Sequence, residues 1–146
     1  MTVGEVSARI VVTAHPDEPI ADVARRMRDE HVGDVVVADS HRRPLGIVTD
    51  RDIVVTAVAQ SADKLEKLLV SDVMTRPAVT ARPETLEEAL KRMRSHGIRR
   101  LPVVGAEGQL VGILTFDDVL RVMSVELSGL IGLVVREQKQ ERIARP

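Results

Sequence analysis

Two stretches of the chain carry apolar residues at the spacing of an amphipathic helix, i, i+3, i+4 and i+7. Polar residues fill most positions between them, so each predicted helix has one apolar face. Thr85 and Glu88 have the spacing of a capping box before the second helix, and Gly97 suits its C-terminal end. The two apolar stripes consist of Ile20, Val23, Ala24 and Met27, and of Leu86, Ala89, Leu90 and Met93.

Short aliphatic runs on either side of each helix predict strands. Each unit has one strand before its helix and two after it, and a further helix begins after the threonine that ends the third strand. The predicted order is therefore β-α-β-β-α, twice. The strands are Val11–Thr13, Val35–Ala38 and Leu45–Thr49 in the first unit, and Ala78–Thr80, Leu101–Val104 and Leu110–Thr115 in the second.

The two units are copies of one sequence. A shift of 66 residues superposes the Arg-Met-Arg triplet at Arg26 on the one at Arg92, without a gap from Ile20 to Val54. Each copy is too small to bury a sizeable core alone. We therefore predict an α/β fold in which two repeats pack sheet to sheet about a pseudo-twofold axis and leave two equivalent clefts.

The repeats divide the chain into four parts. Residues 1–60 form the first repeat, 61–71 a helical connector, 72–123 the second repeat and 124–146 a C-terminal helical tail. The tail is apolar first, with "GLIGLVV" at 129–135, and charged afterwards. It is either a helix that covers the second repeat or a surface for dimer contacts or partner docking.

Composition narrows the class of protein. Apolar residues make up 44% of the chain and charged residues 29%, which is typical of a folded globular protein. The net charge of −1 gives no electrostatic reason to expect nucleic acid or an anionic membrane as partner. No signal peptide and no apolar run near the roughly 20 residues of a membrane span are present, so we expect a cytoplasmic protein.

The most distinctive motif is Gly-x-x-Thr-x-x-Asp, which occurs at Gly46–Asp52 and again at Gly112–Asp118. Threonine and aspartate at this spacing are typical of a capping box that starts a helix. The same groups can bind a ligand, because a helix N-terminus offers donors to a phosphate and a carboxylate accepts from both hydroxyls of a ribose. The sequence leaves both roles open.

Together with "VSDVMTRPAVT" at 70–80 and "HGIRRLPVV" at 96–104, these motifs resemble the CBS domain, named after cystathionine β-synthase, and its tandem pair, the Bateman module. The resemblance covers roughly residues 6–123. It implies a free-standing regulatory module that binds an adenosyl ligand (AMP, ADP or ATP, or else NAD or S-adenosylmethionine) and signals to an unknown partner. It also implies a homodimer, with the apolar stripes of four helices and "GLIGLVV" as interface. A ligand-free dimerisation scaffold is the alternative.

The resemblance further implies that the Thr-x-x-Asp of each repeat faces the other repeat across a cleft, with the aspartate on the ribose and the threonine near the phosphate. Cleft A would combine Thr49, Arg51, Asp52, Pro77, Ala78, Val79, Ile98, Arg99, Arg100 and Pro102. Cleft B would combine Thr115, Asp118, Ile10, Val11, Val12, Val32, Gly33, Asp34 and Val36.

The two clefts differ in charge. Cleft A has Arg99 and Arg100 where phosphates are expected, and arginine is suited to bidentate phosphate contacts. A solvated or salt-bridged pair is the alternative for these arginines. Cleft B has Gly33 and Asp34 at the corresponding positions. We therefore expect cleft A to take a phosphate-bearing ligand, and cleft B to be empty or to take a less charged one.

No catalytic or metal site is expected. The four histidines form no i, i+4 pair, and the absence of cysteine excludes thiolate ligands. The sequence contains no Walker A loop, no GxSxG motif and no evident pair of nucleophile and base. These observations argue against an enzyme.

Overall fold

The computed structural model of the chain describes residues 1–145 and confirms a mixed α/β fold of two repeats. A short helix, α1 (Val3–Val6), precedes the first repeat. The first repeat contains β1 (Thr13–Ala14), α2 (Ile20–Glu30), β2 (Asp34–Ala38), β3 (Pro44–Thr49), α3 (Asp50–Asp52), a π-helical stretch (Ile53–Val58) and α4 (Ala59–Ser61). A 3₁₀ segment (Ala62–Lys67) and α5 (Val70–Val73) lead to α6 (Leu86–His96), β4 (Arg100–Val104), β5 (Leu110–Thr115) and α7 (Phe116–Ala144).

The sheets of the two repeats share one register. In the first repeat β1 is parallel to β2, and β3 is antiparallel to it. Val37 pairs with Gly46 in this sheet, and Val103 pairs with Gly112 in the antiparallel pair β4–β5. These pairs are 66 residues apart, so the sequence repeat is also a repeat of backbone pairing.

The prediction of a strand at Ala78–Thr80 is wrong. Only Ala81 pairs with β4, where its N–H donates to the carbonyl oxygen of Pro102 at 2.9 Å. Ala78, within the predicted strand, instead bonds to the first repeat. Its N–H donates to the carbonyl oxygen of Leu45 in β3 at 3.1 Å. The first strand of this repeat is therefore reduced to a single bridge.

The apolar stripes of α2 and α6 are buried inside the chain, against their own sheets. Ile20, Val23 and Met27 lie in the core of the first repeat, and Leu86 and Met93 lie in that of the second. The resemblance implies that the apolar stripes contribute to a dimer interface, but these residues are used in the cores of their own repeats. The homodimer itself stays a prediction.

One arginine in each of these helices fixes the turn before it. Arg26 donates to the carbonyl oxygen of Thr13 at 2.7 Å and to the carboxylate of Glu18 at 2.5 Å, and this bond to the carboxylate lowers the pKa of Glu18. Arg92 repeats both bonds, to the carbonyl oxygen 12 residues before it at 2.8 Å and to Glu84 at 2.6 Å. The repeat therefore extends to side-chain contacts.

Each repeat completes its core with the segment that precedes the other repeat. Val3 of α1 is fully buried in the second core, and its N–H donates to the carbonyl oxygen of Glu84 at 3.0 Å. Val70 of α5 is fully buried in the first core, and its N–H donates to the carbonyl oxygen of Glu18 at 2.9 Å. Separating the repeats would open both cores, so α5 is part of the first core rather than a spacer.

The C-terminal helix projects away from the second repeat. Val119 is the buried residue of α7, and every residue from Met123 to Arg145 is exposed. The interpretation of the tail as a cover for the second repeat is therefore wrong. Its interpretation as a surface for dimer contacts or partner docking stays a prediction. None of the helices described for residues 1–145 is long and apolar enough to span a membrane.

Candidate functional site

Cleft A is a cavity of about 370 Å³ between the two repeats. The end of β3 and the start of α3 line it from one repeat, and the segments after α5 and α6 line it from the other. Nine of its lining residues are those predicted from the sequence: Thr49, Arg51, Asp52, Pro77, Ala78, Val79, Ile98, Arg99 and Arg100. Four further residues complete the lining: Ile47, Asp50, Thr75 and Gly97.

Pro102 does not line this cavity, although the sequence had placed it there. Its side chain is less than 2% exposed, and its carbonyl oxygen is held by the N–H of Ala81. The four residues of β4 after Arg100 are buried, so Arg100 at its first position is the strand residue that reaches the cavity.

Ile47 and Thr75 line the cavity but were not predicted from the sequence. Their N–H and carbonyl groups form two reciprocal hydrogen bonds of 3.0 and 2.9 Å between β3 and the chain after α5. Strand alternation places Ile47 on the same side of β3 as Thr49, and this signal could have identified it. Thr75 carries no such signal, because its position depends on a contact between the two repeats.

Asp52 both caps α3 and leaves one carboxylate oxygen free. Oδ2 accepts the N–H of Thr49 at 2.9 Å, and the N–H of Asp52 donates to Oγ1 of Thr49 at 3.1 Å. Within residues 1–145, Oδ1 of Asp52 has no hydrogen-bond donor. The capping role is therefore confirmed, and it leaves an acceptor at the edge of the cavity.

Asp118 is engaged on both oxygens. Oδ2 accepts the hydroxyl of Thr115 at 2.8 Å, and Oδ1 forms an ion pair with Arg121. The first repeat has Val55 at the position of Arg121, so Asp52 has no equivalent partner there. Asp118 therefore differs from Asp52 by an ion pair with a largely exposed arginine, since the Arg121 side chain is 73% exposed.

Arg100 joins the two repeats. Its Nε donates to Oδ1 of Asp34 at 2.8 Å, and the two side chains are 35% and 17% exposed. The two residues hold equivalent positions, 66 apart, and therefore meet across the pseudo-twofold axis. The salt-bridged alternative is correct for Arg100, which nevertheless lines cleft A.

Arg99 has a weaker tie to its own repeat. Nη2 lies 3.3 Å from Oδ1 of Asp117, with side chains 66% and 82% exposed, and solvent-exposed ion pairs of this kind contribute little. Its guanidinium also lies 5.1 Å from the centre of the Phe116 ring, within cation–π range. Arg51 is exposed and, among residues 1–145, has no ion-pair partner. Arg51 and Arg99 therefore lie at the rim of cleft A, and a ligand could contact them with little loss of existing interactions.

The residues predicted for cleft B differ widely in exposure. Val36 is fully buried between the repeats, and Ile10 is 91% exposed. A second cavity of about 190 Å³ lies elsewhere, next to Glu18 and Arg42, and neither cavity is lined by the residues predicted for cleft B. Across residues 1–145 no group of three or more His, Asp or Glu side chains is placed to hold a metal ion.

Comparison with known proteins gives consistent matches. The family model of the CBS domain matches residues 3–58 and 70–125. An uncharacterized protein of Methanopyrus kandleri is 38% identical over 123 residues, which are 84% of this chain. This match spans 62% of the length of the relative.

Two solved structures share the fold over most of the chain. The CBS domain pair of protein MJ0100, in complex with 5′-methylthioadenosine and S-adenosyl-L-methionine, has a TM-score of 0.76 at 26% identity, covering 86% of this chain and 98% of that one. CBSX2 in complex with AMP has a TM-score of 0.73 at 28% identity, covering 87% of this chain and 98% of that one.

Proposed function

The chain belongs to the CBS domain family, and from this premise we propose that it is a regulatory protein that binds an adenosyl ligand in cleft A. Structural neighbours in complex with S-adenosyl-L-methionine, 5′-methylthioadenosine and AMP support the class of ligand. The local chemistry of cleft A favours a phosphate-bearing member of that class, such as AMP, ADP or ATP.

The lining of cleft A offers a surface for each of the three parts of such a ligand, which are the adenine, the ribose and the phosphate. An adenine ring would lie on the aliphatic surface of Ile47, Val79 and Ile98, because the only aromatic residue of the chain, Phe116, is outside the lining. A cavity of about 370 Å³ lies within the roughly 300–1,000 Å³ range of small-molecule sites. Arg51 and Arg99 would reach the phosphate from the rim, and Arg100, which also lines the cavity, would share its guanidinium between Asp34 and the phosphate.

The observation that carries the proposal is the free oxygen of Asp52. An ionised carboxylate accepts hydrogen bonds and donates none, so Oδ1 suits the two hydroxyls of a ribose rather than a phosphate. The arginines stand on other parts of the same lining, where they complement negative charge. A nucleotide carries both a ribose and a phosphate, so one molecule would use both the carboxylate and the arginines.

Occupancy would act on an unidentified partner protein by a population shift. A ligand in cleft A would contact both repeats, so it would favour the arrangements in which the two repeats lie close enough for both to contact it. The proposed role is regulatory and not catalytic, and the cytoplasmic location stays a prediction. The rival function is a ligand-free dimerisation scaffold, which is favoured by exposed apolar residues on the helices after each Thr-x-x-Asp motif: Val54, Val55, Val58, Leu120 and Met123.

A thermal shift screen separates these two functions. AMP, ADP, ATP, NAD and S-adenosylmethionine are tested at millimolar concentration, with adenosine and inorganic phosphate as controls. A ligand at 100 times its Kd should stabilise the chain by about 2.7 kcal/mol. This raises the melting temperature by about 5–10 °C for a chain of this size. Absence of a shift with every nucleotide would contradict the proposal and favour the scaffold.

Asp34→Asn should strengthen the binding of AMP. Asparagine keeps an acceptor for Nε of Arg100 but removes the negative charge that competes with a phosphate for the guanidinium. Such a partly exposed pair contributes up to about 1 kcal/mol, so AMP affinity should rise by about 2- to 5-fold.

Adenosine is the matched control ligand for this variant. It lacks the phosphate, so its affinity should be the same for the wild type and for Asp34→Asn by titration calorimetry. An equal gain for both ligands would show that Arg100 does not select the phosphate.

A further inference from the structure

We infer that the second cavity binds a free α-amino acid, a small zwitterion with one carboxylate and one ammonium group. This cavity of about 190 Å³ lies where β1 and β2 end and where the turn between β2 and β3 begins. Because Ala38 pairs with Pro44 at the start of β3, the cavity is at the opposite end of that strand from Thr49 and cleft A. The inference therefore does not depend on the ligand of cleft A.

Two groups of opposite charge in this lining are open to a ligand. Oδ1 of Asp39 accepts the N–H groups of His41 and Arg43 at 2.8 and 2.9 Å, and within residues 1–145 its Oδ2 has no donor. These bonds, with that from Arg43 first, lower the pKa of Asp39, so its carboxylate is ionised at neutral pH. Arg42 is exposed, and in the part of the chain that the structure describes its guanidinium has no hydrogen-bond or ion-pair partner.

Glu18 also lines the cavity, but its charge is already compensated. Its two carboxylate oxygens accept from the guanidinium of Arg26 at 2.5 and 3.1 Å, and Oε2 also accepts the N–H of His15 at 2.7 Å. The charges that a ligand has to match are therefore those of Asp39 and Arg42.

A zwitterion is the class of molecule that satisfies both open groups. A simple anion would lie beside the free oxygen of Asp39, and a simple cation would lie beside Arg42. In an α-amino acid the carboxylate accepts from the guanidinium, and the ammonium donates to the free oxygen. The cavity is smaller than the roughly 300–1,000 Å³ of sites for drug-sized molecules, which favours a ligand much smaller than a nucleotide. Ala14, Ala38 and Leu110 offer a buried apolar wall for a short side chain.

The second repeat lacks both charged groups at the equivalent positions. Gly105 and Gly108 stand there, 66 residues after Asp39 and Arg42. Arg42 and Gly108 both have a positive φ, of 61° and 82°. Glycine adopts this backbone conformation freely, whereas a residue with a side chain is strained in it. A strained arginine that lines a cavity, at a position where the other copy has glycine, indicates a function for its side chain.

A thermal shift screen of the full chain tests the inference. Glycine, L-alanine, L-serine, L-threonine and L-valine are the probes, each at about 10 mM. An amino acid at about ten times its Kd should raise the melting temperature by about 3–6 °C. The N-acetyl derivative of the responding amino acid lacks the ammonium and its amide lacks the carboxylate, so neither should produce the shift.

Arg42→Gly removes the guanidinium and also relieves the positive φ. It should raise the melting temperature by up to about 4 °C and weaken the binding of the responding amino acid by at least about 10-fold in titration calorimetry. His31→Gly is the matched control, because His31 has a positive φ of 55° where the second repeat has Gly97, and it lines neither cavity. This control should relieve strain in the same way and leave the affinity unchanged.

Asp39→Asn tests the opposite charge. Asparagine keeps an oxygen for the two N–H groups of the turn but loses the charge that attracts the ammonium, so affinity should fall by about 3- to 10-fold. Absence of both a melting shift and a heat of binding with all five probes would overturn the inference. Equal shifts with the blocked derivatives would show that the cavity does not select a zwitterion. Equal affinity of Arg42→Gly and the wild type would place the amino acid elsewhere on the chain and would also overturn it.

Discussion

Replacing Asp52 by alanine should weaken AMP binding by about 30- to 1,000-fold. The change removes the carboxylate oxygen that is free to accept two ribose hydroxyls, and hydrogen bonds to a charged acceptor of this kind are together worth about 2–4 kcal/mol. Titration calorimetry of the wild type and of Asp52→Ala measures the loss directly. The unfolding midpoints of both proteins are recorded in parallel, because Asp52 also caps α3.

Asp52→Asn separates the cap from the ligand contact. Asparagine retains one oxygen that can accept the N–H of Thr49, but its amide nitrogen donates and cannot replace the free oxygen. This variant should therefore keep most of the cap, which is worth about 0.5–2 kcal/mol, and still lose most of the affinity for AMP.

Asp118→Ala is the matched control in the second repeat. Both oxygens of Asp118 are engaged by Thr115 and Arg121, so its loss should lower stability within the same capping range. AMP affinity should change by less than about 3-fold. If Asp52→Ala and Asp118→Ala both lower stability and leave affinity unaltered, the motif starts helices and binds nothing.

Local patterns were sufficient for most of the fold. The periods of α2 and α6 depend on residues three or four apart, and the strands follow from short aliphatic runs, so both are readable along the chain. The 66-residue shift indicated that the two copies are equivalent, and the structure shows this equivalence in the pairing of Gly46 and Gly112. The capping boxes at Thr49 and Thr85 were correct for the same local reason.

Contacts between the repeats could not be predicted in this way. The exchange of α1 and α5 places Val3 and Val70 in cores remote in sequence, and no periodicity encodes which core an apolar residue joins. The pair of Arg100 with Asp34 similarly arises only when two equivalent positions face each other across the axis.

The fate of the tail also required the structure. An apolar run such as 129–135 is equally consistent with a helix packed on its own chain and with an exposed helix that binds another protein. The structure excludes the first alternative, since Leu130 is 61% exposed and Leu133 is 64% exposed. A partner for this helix stays a prediction.

Gly46→Ala should lower the free energy of unfolding by about 1–3 kcal/mol, the usual cost of overpacking a tightly packed site. A Cβ at this position would overlap the carbonyl oxygen of Thr75, which is backbone and cannot move without disturbing the bridge between Ile47 and Thr75. Urea unfolding measures the loss, and the melting temperature should fall by about 2–12 °C. Gly112 is under the same constraint, with its Cβ 2.8 Å from the carbonyl oxygen of Ala8.

Gly129→Ala is the control, since a Cβ there meets nothing within 4 Å and lies in a helix. Alanine should stabilise that helix by up to about 1 kcal/mol. Gly46→Ala should also reduce AMP affinity, because the strand it displaces and the Thr75 segment both line cleft A, whereas Gly129→Ala should leave affinity unchanged. An unaltered urea midpoint for Gly46→Ala would mean that the first glycine of the motif is not required by the close approach of the two backbones.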